Sequence, residues 1–191
     1  MTGIEPRPPR LGRTTLIAVD GPSGSGKTTF AARLARELGG VVVSTDDFAT
    51  WDDPVSWWPR LVNDVLIPIE MGKTACYQRI EWADGRPYPG SYRRVEVPDL
   101  LVIEGVSAGR QSISDTLSHL VWCELPNETT RLERAVARDG EAARKYLLTW
   151  QDFERGWFAV DQTKARAETL VDGSDTEALQ IRTSRPSTRT G

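Results

Sequence analysis

Histidine and cysteine are almost absent from this sequence, and several functions go with them. His119 is the sole histidine among 191 residues. It opens an apolar strand, Leu120-Val121-Trp122-Cys123, where it reads as a strand-end residue and not as a catalyst. Cys76 and Cys123 lie far apart without metal-ligand spacing, so free thiols in a reducing cytoplasm are expected. No apolar run approaches the roughly 18 residues that a membrane span needs, and no membrane partner is expected. Arg7, Arg10 and Arg13 stand among prolines with no apolar stretch behind them, which is not the pattern of a secretory signal. Excess positive charge is missing too. The balance is −3 with a pI near 5.3, which argues against coating nucleic acid. What is present is apolar bulk: 39% of residues are hydrophobic, enough for the core of one domain of ordinary size.

Gly21-Pro22-Ser23-Gly24-Ser25-Gly26-Lys27-Thr28 matches G-x-x-x-x-G-K-[ST] at every fixed position. Ahead of it, Thr15-Leu16-Ile17-Ala18-Val19 reads as a buried strand. Behind it, Phe30, Leu34 and Leu38 recur at i, i+4 and i+8, one face of a helix. Strand, glycine loop and helix form the context the motif requires. The loop N–H groups point inward, and the helix N-terminus adds about half a positive charge. The expected ATP-binding residues are therefore Gly21, Ser23, Gly24, Ser25, Gly26, Lys27, Thr28 and Thr29. Lys27 reaches the β- and γ-phosphates, and the Thr28 hydroxyl can ligate Mg2+.

Strands alternate with helices along the rest of the chain, which predicts a parallel sheet in three layers. Residues 1–12, rich in Pro and Arg, read as a flexible arm, 13–174 as one domain, and 175–191 as a flexible tail. Gly39-Gly40 stops the first helix, and Val41-Val42-Val43 is a second short strand. Trp57, Leu61 and Val65 mark a helical face that Gly72 closes. Residues 76–97 form a small β insertion with Asp84-Gly85 as its turn. Leu100-Leu101-Val102-Ile103 is an unalternating apolar run, hence a fully buried parallel strand ending in Glu104. Asn127 is the expected N-cap of a helix carrying Leu132 and Val136 inward. A further helix covers 146–167, and Thr169-Leu170-Val171 is a last strand.

Several segments, in their order, resemble the uridine kinase family within the wider P-loop kinases. Ser44-Thr45-Asp46-Asp47-Phe48 is similar to its Ser-x-Asp-x-Phe. Trp51-Asp52-Asp53-Pro54 resembles its Asn-Tyr-Asp-His-Pro, and Leu101–Gly105 its strand ending in Glu-Gly. Arg134, Arg138-Asp139 and Arg144 resemble its arginine-rich lid, placed here at 134–146, and Thr163-Lys164 through Gly173 its C-terminal stretch. The resemblance implies an α/β/α P-loop kinase fold with a five-stranded parallel sheet, the small β insertion and a helical lid. It also implies ATP and Mg2+ as cofactors and a small-molecule acceptor. The sequence leaves monomer and homo-oligomer both open.

Within that frame each residue has an expected role. Asp46, at the end of a buried strand beside the phosphate loop, is the expected catalytic carboxylate or a metal ligand; its neighbour Asp47 is the weaker choice. Glu104 can hold Mg2+ or orient the nucleophile. Arg138 and Arg144, with Lys27, can stabilise charge on the transferring group. The acceptor candidates are Trp51, Asp52, Tyr77, Arg79, Trp82 and Arg86. The family's His-x-Arg in this segment is missing, its Arg-Gly-Arg is thinned to Ala142-Ala143-Arg144, and Ala49 replaces a tyrosine. An acceptor other than uridine is expected, nucleoside-like or sugar-like. The competing reading is a P-loop ATPase or switch without an acceptor.

Overall fold

The computed structural model describes residues 4–5, 7–83, 86–174 and 180–183. Its centre is a six-stranded sheet of β1 (Thr15–Asp20), β2 (Val41–Ser44), β5 (Leu100–Glu104), β6 (His119–Glu124), β7 (Thr169–Asp172) and β8 (Gln180–Thr183). They are ordered β2-β5-β1-β6-β7-β8. The first five are mutually parallel, and β8 runs antiparallel to β7. The five-stranded parallel sheet is thus the expected one. β8, in the stretch expected to be a flexible tail, adds an edge strand that covers the exposed hydrogen-bonding groups of β7. Residues 175–179 and 184–191 lie outside the described residues.

Alternation along β1 creates the two outer layers. Ile17 and Val19 pack with Phe30, Ala31 and Leu34 of α1 (Lys27–Leu38) on one face. Leu16 and Ala18 face the larger core on the other side, with Phe48, Trp57, Leu61 and Tyr77. β5 is buried along its whole length, as a strand covered on both faces must be. The N-terminal arm differs from expectation. Ile4 joins the α1 core, Leu11 is 1% exposed, the Ser118 hydroxyl donates to the Pro8 carbonyl at 2.9 Å, and Arg7 pairs with Glu168. Apolar anchors at both ends of the arm outweigh its Pro/Arg composition.

Residues 58–70 are helical in three joined pieces: α2 (Trp58–Leu61), a π segment (Val62–Leu66) and α3 (Ile67–Glu70). Pro68 explains the widened turn, since it supplies no N–H to the carbonyl of Asp64. The β insertion is an antiparallel hairpin of β3 (Ala75–Ala83) and β4 (Arg86–Val95), running from Ala75 opposite Val95 to Ala83 opposite Arg86, with the register shifted between Gln78 and Ile80. The expected turn residues Asp84 and Gly85 lie outside the described residues. Beyond β6 come α4 (Glu128–Asp139), α5 (Arg144–Asp161) and α6 (Thr163–Arg166). Asn127 caps α4 as expected, accepting from the Thr130 N–H at 2.9 Å. The lid stretch spans the α4–α5 junction.

The hairpin is fastened to the end of β2 by Asp47. Its carboxylate, 4% exposed, accepts from the Tyr77 hydroxyl at 2.7 Å and from Arg79 Nε at 2.8 Å. Phe48 stacks on the Tyr77 ring at 4.8 Å. Burial, followed by the hydrogen bond to Asp47, raises the Tyr77 phenol far above its ordinary value. Removing Asp47 leaves a buried hydroxyl without its acceptor and Arg79 without its counter-ion. Asp47→Ala is expected to cost about 2–3 kcal/mol. A urea unfolding midpoint unchanged from wild type would show that Asp47 does not carry the hairpin.

Candidate functional site

The carboxyl ends of β2, β5 and β1 meet at the phosphate loop because the register sets Glu104 beside both Ser44 and Val19. The loop leaves β1 at Gly21, whose φ is +144° and whose missing Cβ would stand 2.1 Å from the Cys123 carbonyl. At Gly24, φ is +75° and a Cβ would meet the Arg131 carbonyl at 2.4 Å, so α4 lies directly against the loop. α1 begins at Lys27 with no acidic residue in its first turn and no side-chain cap, leaving its N–H groups for an anion. Lys27 is buried, 8% exposed, and its ammonium donates to the Pro22 carbonyl at 2.9 Å. Among the described residues it forms no ion pair. A buried cation at the centre of a glycine loop, satisfied by one carbonyl, is a site for an anion.

Glu104 lies in the field of this cation, and Asp46 in that of Glu104. Glu104, 3% exposed, accepts from the Ser44 hydroxyl at 2.6 Å and the Thr28 hydroxyl at 3.2 Å. Burial, then the charge of Asp46, pushes its carboxyl above the ordinary value. Asp46 is exposed on the 3-10 turn after β2, its N–H bonded to Ser44 Oγ at 3.3 Å. Glu104 is thus the point at which Lys27, Thr28 and Asp46 converge: Thr28 bonds it, and the other two act on its charge. Among the described residues no group of three or more His, Cys, Asp or Glu could hold a metal. Two mutually repelling carboxylates and a threonine hydroxyl nevertheless fit Mg2+, which typically takes one or two protein carboxylates and completes its shell with phosphates and water.

The lid arginines divide. Arg138 is bound to Asp139 at 2.6 and 2.7 Å, and its guanidinium pKa is raised first by that bond, then by the charges of Asp139, Asp46 and Glu104, so it senses both site carboxylates. Arg144 does not join them. It is forked onto Glu133 at 2.7 Å and onto Glu141 at 2.5 Å, both close in sequence to the lid turn. Arg134 bonds the Gly173 carbonyl at 2.6 Å and so ties α4 to the end of β7.

Of the acceptor candidates, Trp51 and Asp52 line a cavity of about 490 Å3. Its other walls are Pro54 and, from α5, Lys145, Tyr146, Thr149, Trp150 and Phe153. Trp51 stacks on Tyr146 at 5.2 Å and meets Trp82 edge-on at 4.9 Å, which places Trp82 beside the cavity. Tyr77 is a correction: at 1% exposure it belongs to the core and cannot touch an acceptor. Arg79 is spent on Asp47, and Arg86 sits exposed on the hairpin; neither lines the cavity.

Sequence reasoning missed three contributors. Asp20 is fully buried and accepts N–H bonds from Gly21 at 2.7 Å, Ser107 at 3.1 Å and Gly109 at 2.8 Å, joining the phosphate loop to the loop after β5. Arg110 lies in a cage of Trp57, Trp58 and Trp157, 4.0 Å from the Trp58 ring centre. Glu154 reaches the phosphate loop from α5. Only the tryptophan excess hinted at any of these.

The architecture is the fold of the P-loop kinases. A model of the AAA domain family matches residues 16–69. The fold resembles a solved structure of a possible uridine kinase from Bacillus stearothermophilus, with a TM-score of 0.60 and 19% identity over 82% of this chain and 88% of that one. It also resembles a candidate fructose transport system kinase from Silicibacter sp. TM1040, with a TM-score of 0.55 and 18% identity over 94% and 91% of the two chains. In sequence the chain is similar to a bifunctional pantoate ligase/cytidylate kinase from Gloeobacter violaceus, 30% identical over 183 residues and 84% of this chain. The chain spans about a third of that relative's length, 33%.

Burial raises Asp20 from its ordinary 3.8 to about 7. Over that window the unfolded chain has released a proton that the folded chain retains, so this carboxyl lowers stability as pH rises. Asp20→Asn removes the slope. The variant's Tm, taken relative to wild type, is expected to climb between about pH 4 and about pH 7; a pH-independent gap would contradict the assignment.

Proposed function

We propose that the protein is an ATP-dependent kinase that transfers the γ-phosphoryl group to a hydroxyl of a small nucleoside-like or sugar-like molecule. The observation that carries this is the buried Lys27 ammonium in the glycine loop, without an ion-pair partner among the described residues, in the field of Glu104, on which Asp46 also acts. In phosphoryl transfer the protein mainly positions groups and offsets charge. Lys27 and the loop N–H groups hold the β- and γ-phosphates. Thr28 and Glu104 are the residues that would hold Mg2+, which neutralises phosphate charge when bound. Asp46, exposed at the mouth, orients the acceptor hydroxyl and takes its proton. Arg138 turns from Asp139 toward the transferring group. A switch without an acceptor has no use for the aromatic cavity beside the loop, and this favours the kinase reading over a P-loop ATPase.

The acceptor site is the cavity of Trp51, Asp52 and α5. Aromatic walls suit a flat ring or the apolar face of a sugar, and Asp52 can accept from a diol. The proteins named above include a possible uridine kinase and a candidate fructose transport system kinase, and the missing His-x-Arg supports a substrate other than uridine. The exposed Cys76 and buried Cys123, both free thiols, suit a reducing cytoplasm. Among the described residues no helix is long and apolar enough to cross a membrane.

The test is ADP release from ATP across a panel of nucleosides, polyols and sugars. Acceptor-dependent turnover is expected, uridine being a poor substrate; turnover indifferent to every acceptor would favour the ATPase. With the acceptor in hand, Asp46→Asn should keep nucleotide affinity within a few-fold and lower kcat by roughly 10²–10⁴. Loss of nucleotide binding that added Mg2+ restores would make Asp46 a metal ligand only. Asp52→Ala should raise the acceptor's KM about tenfold or more and leave that of ATP alone. Equal effects on both would remove Asp52 from the acceptor site.

A further inference from the structure

The phosphate loop already holds an anion, supplied by the protein itself. Glu154, 2% exposed, points from α5 into the loop. Its two carboxylate oxygens accept from the Ser23 N–H at 3.0 and 3.1 Å, and the Ser23 hydroxyl also donates to it. The charged groups that act on it from the packed elements are Lys27 of α1 and Arg131 of α4, both cations. Glu154 is thus a buried carboxylate that occupies donors of the very loop read as the phosphate cradle and shares the field of its lysine. Trp150, one helical turn earlier on the same face of α5, lines the aromatic cavity. One stretch of helix therefore touches both the phosphate loop and the cavity wall.

We propose that Glu154 is a positioning residue that sets nucleotide affinity: it anchors Ser23 to α5, and its charge opposes the incoming phosphates. The physical reason is like-charge repulsion at low dielectric. Bound phosphates bring several negative charges beside a carboxylate that has little water to screen it. The anchor preorganises the loop mouth, and the cost is weaker nucleotide binding than the loop alone would give. The same contact links the cavity wall to the phosphate site through a single helical turn.

This rests on the reading of the loop as a nucleotide site, and Mg·ADP binding, followed by calorimetry, tests both without an acceptor. Glu154→Gln keeps the shape and one acceptor for the Ser23 N–H but removes the charge. It is expected to bind Mg·ADP roughly 3- to 30-fold more tightly than wild type. A residue that merely braced the fold would leave affinity equal or lower it, and either result overturns the proposal. Ser23→Ala provides the second arm. It keeps the carboxylate but removes a donor that offsets its charge, so Mg·ADP should bind several-fold more weakly. Equal or tighter binding in that variant overturns the proposal even if Glu154→Gln does not fold. Wild type that binds no Mg·ADP would overturn the nucleotide-site reading itself, and this proposal with it.

Discussion

A buried carboxylate at the end of β1 holds the centre of the molecule together. Asp20 accepts N–H bonds from Gly21, where the phosphate loop begins, and from Ser107 and Gly109 in the loop that leaves β5. These two loops leave adjacent parallel strands and would otherwise present bare amide groups to a dry interior. Meeting three of them with one acid fixes how the phosphate loop sits relative to Glu104. It also explains why Ser107 tolerates a φ of +69°: the conformation aims its N–H at Asp20. The carboxyl is held neutral longer than usual by its burial, and the loop geometry is what that cost secures.

Around this point the fold concentrates buried charge. Lys27, Glu104, Glu154, Arg131 and Arg110 are all below a tenth exposed. Each is partnered. Glu104 has two hydroxyls, Glu154 has Ser23, Arg131 bonds the Leu125 carbonyl at 2.8 Å, and Arg110 rests among three indoles. Satisfied buried charges of this kind contribute little net stability and are sensitive to the loss of one partner. A ligand that adds charge here meets prearranged dipoles instead of water, which is the condition under which electrostatic stabilisation of transferring phosphate is strong. The aromatic cavity and the phosphate loop share α5, which lends Trp150 to the one and Glu154 to the other.

The readings that succeeded were those carried by local pattern. The glycine loop, the α1 face of Phe30 and Leu34, the buried run Leu100–Ile103 and the Asn127 cap are each determined within a few residues of chain. So is the approach of Glu104 to the loop, because an apolar unalternating strand ending in an acid belongs in the middle of a parallel sheet. Readings based on composition alone did less well. The Pro/Arg arm docks through Ile4 and Leu11, and residues 180–183 pair as an edge strand. Arg144 is taken by Glu133 and Glu141, partners that only the fold of the lid turn brings to it.

The sequence alone determined that a phosphate loop follows a central strand and that the surrounding sheet is parallel, since motif, period and burial pattern are short-range properties. Tertiary structure decided the rest. Of two adjacent aspartates, it turned Asp47 inward to hold Tyr77 and Arg79 and left Asp46 at the mouth. It put Tyr77 in the core, and it built the aromatic cavity from Trp51 together with Tyr146, Trp150 and Phe153 of α5. It brought Glu154 to Ser23 across 131 positions of chain. Contacts at such separations depend on how α5 packs against the loop, and packing is set by the whole core, not by any residue's neighbours in sequence.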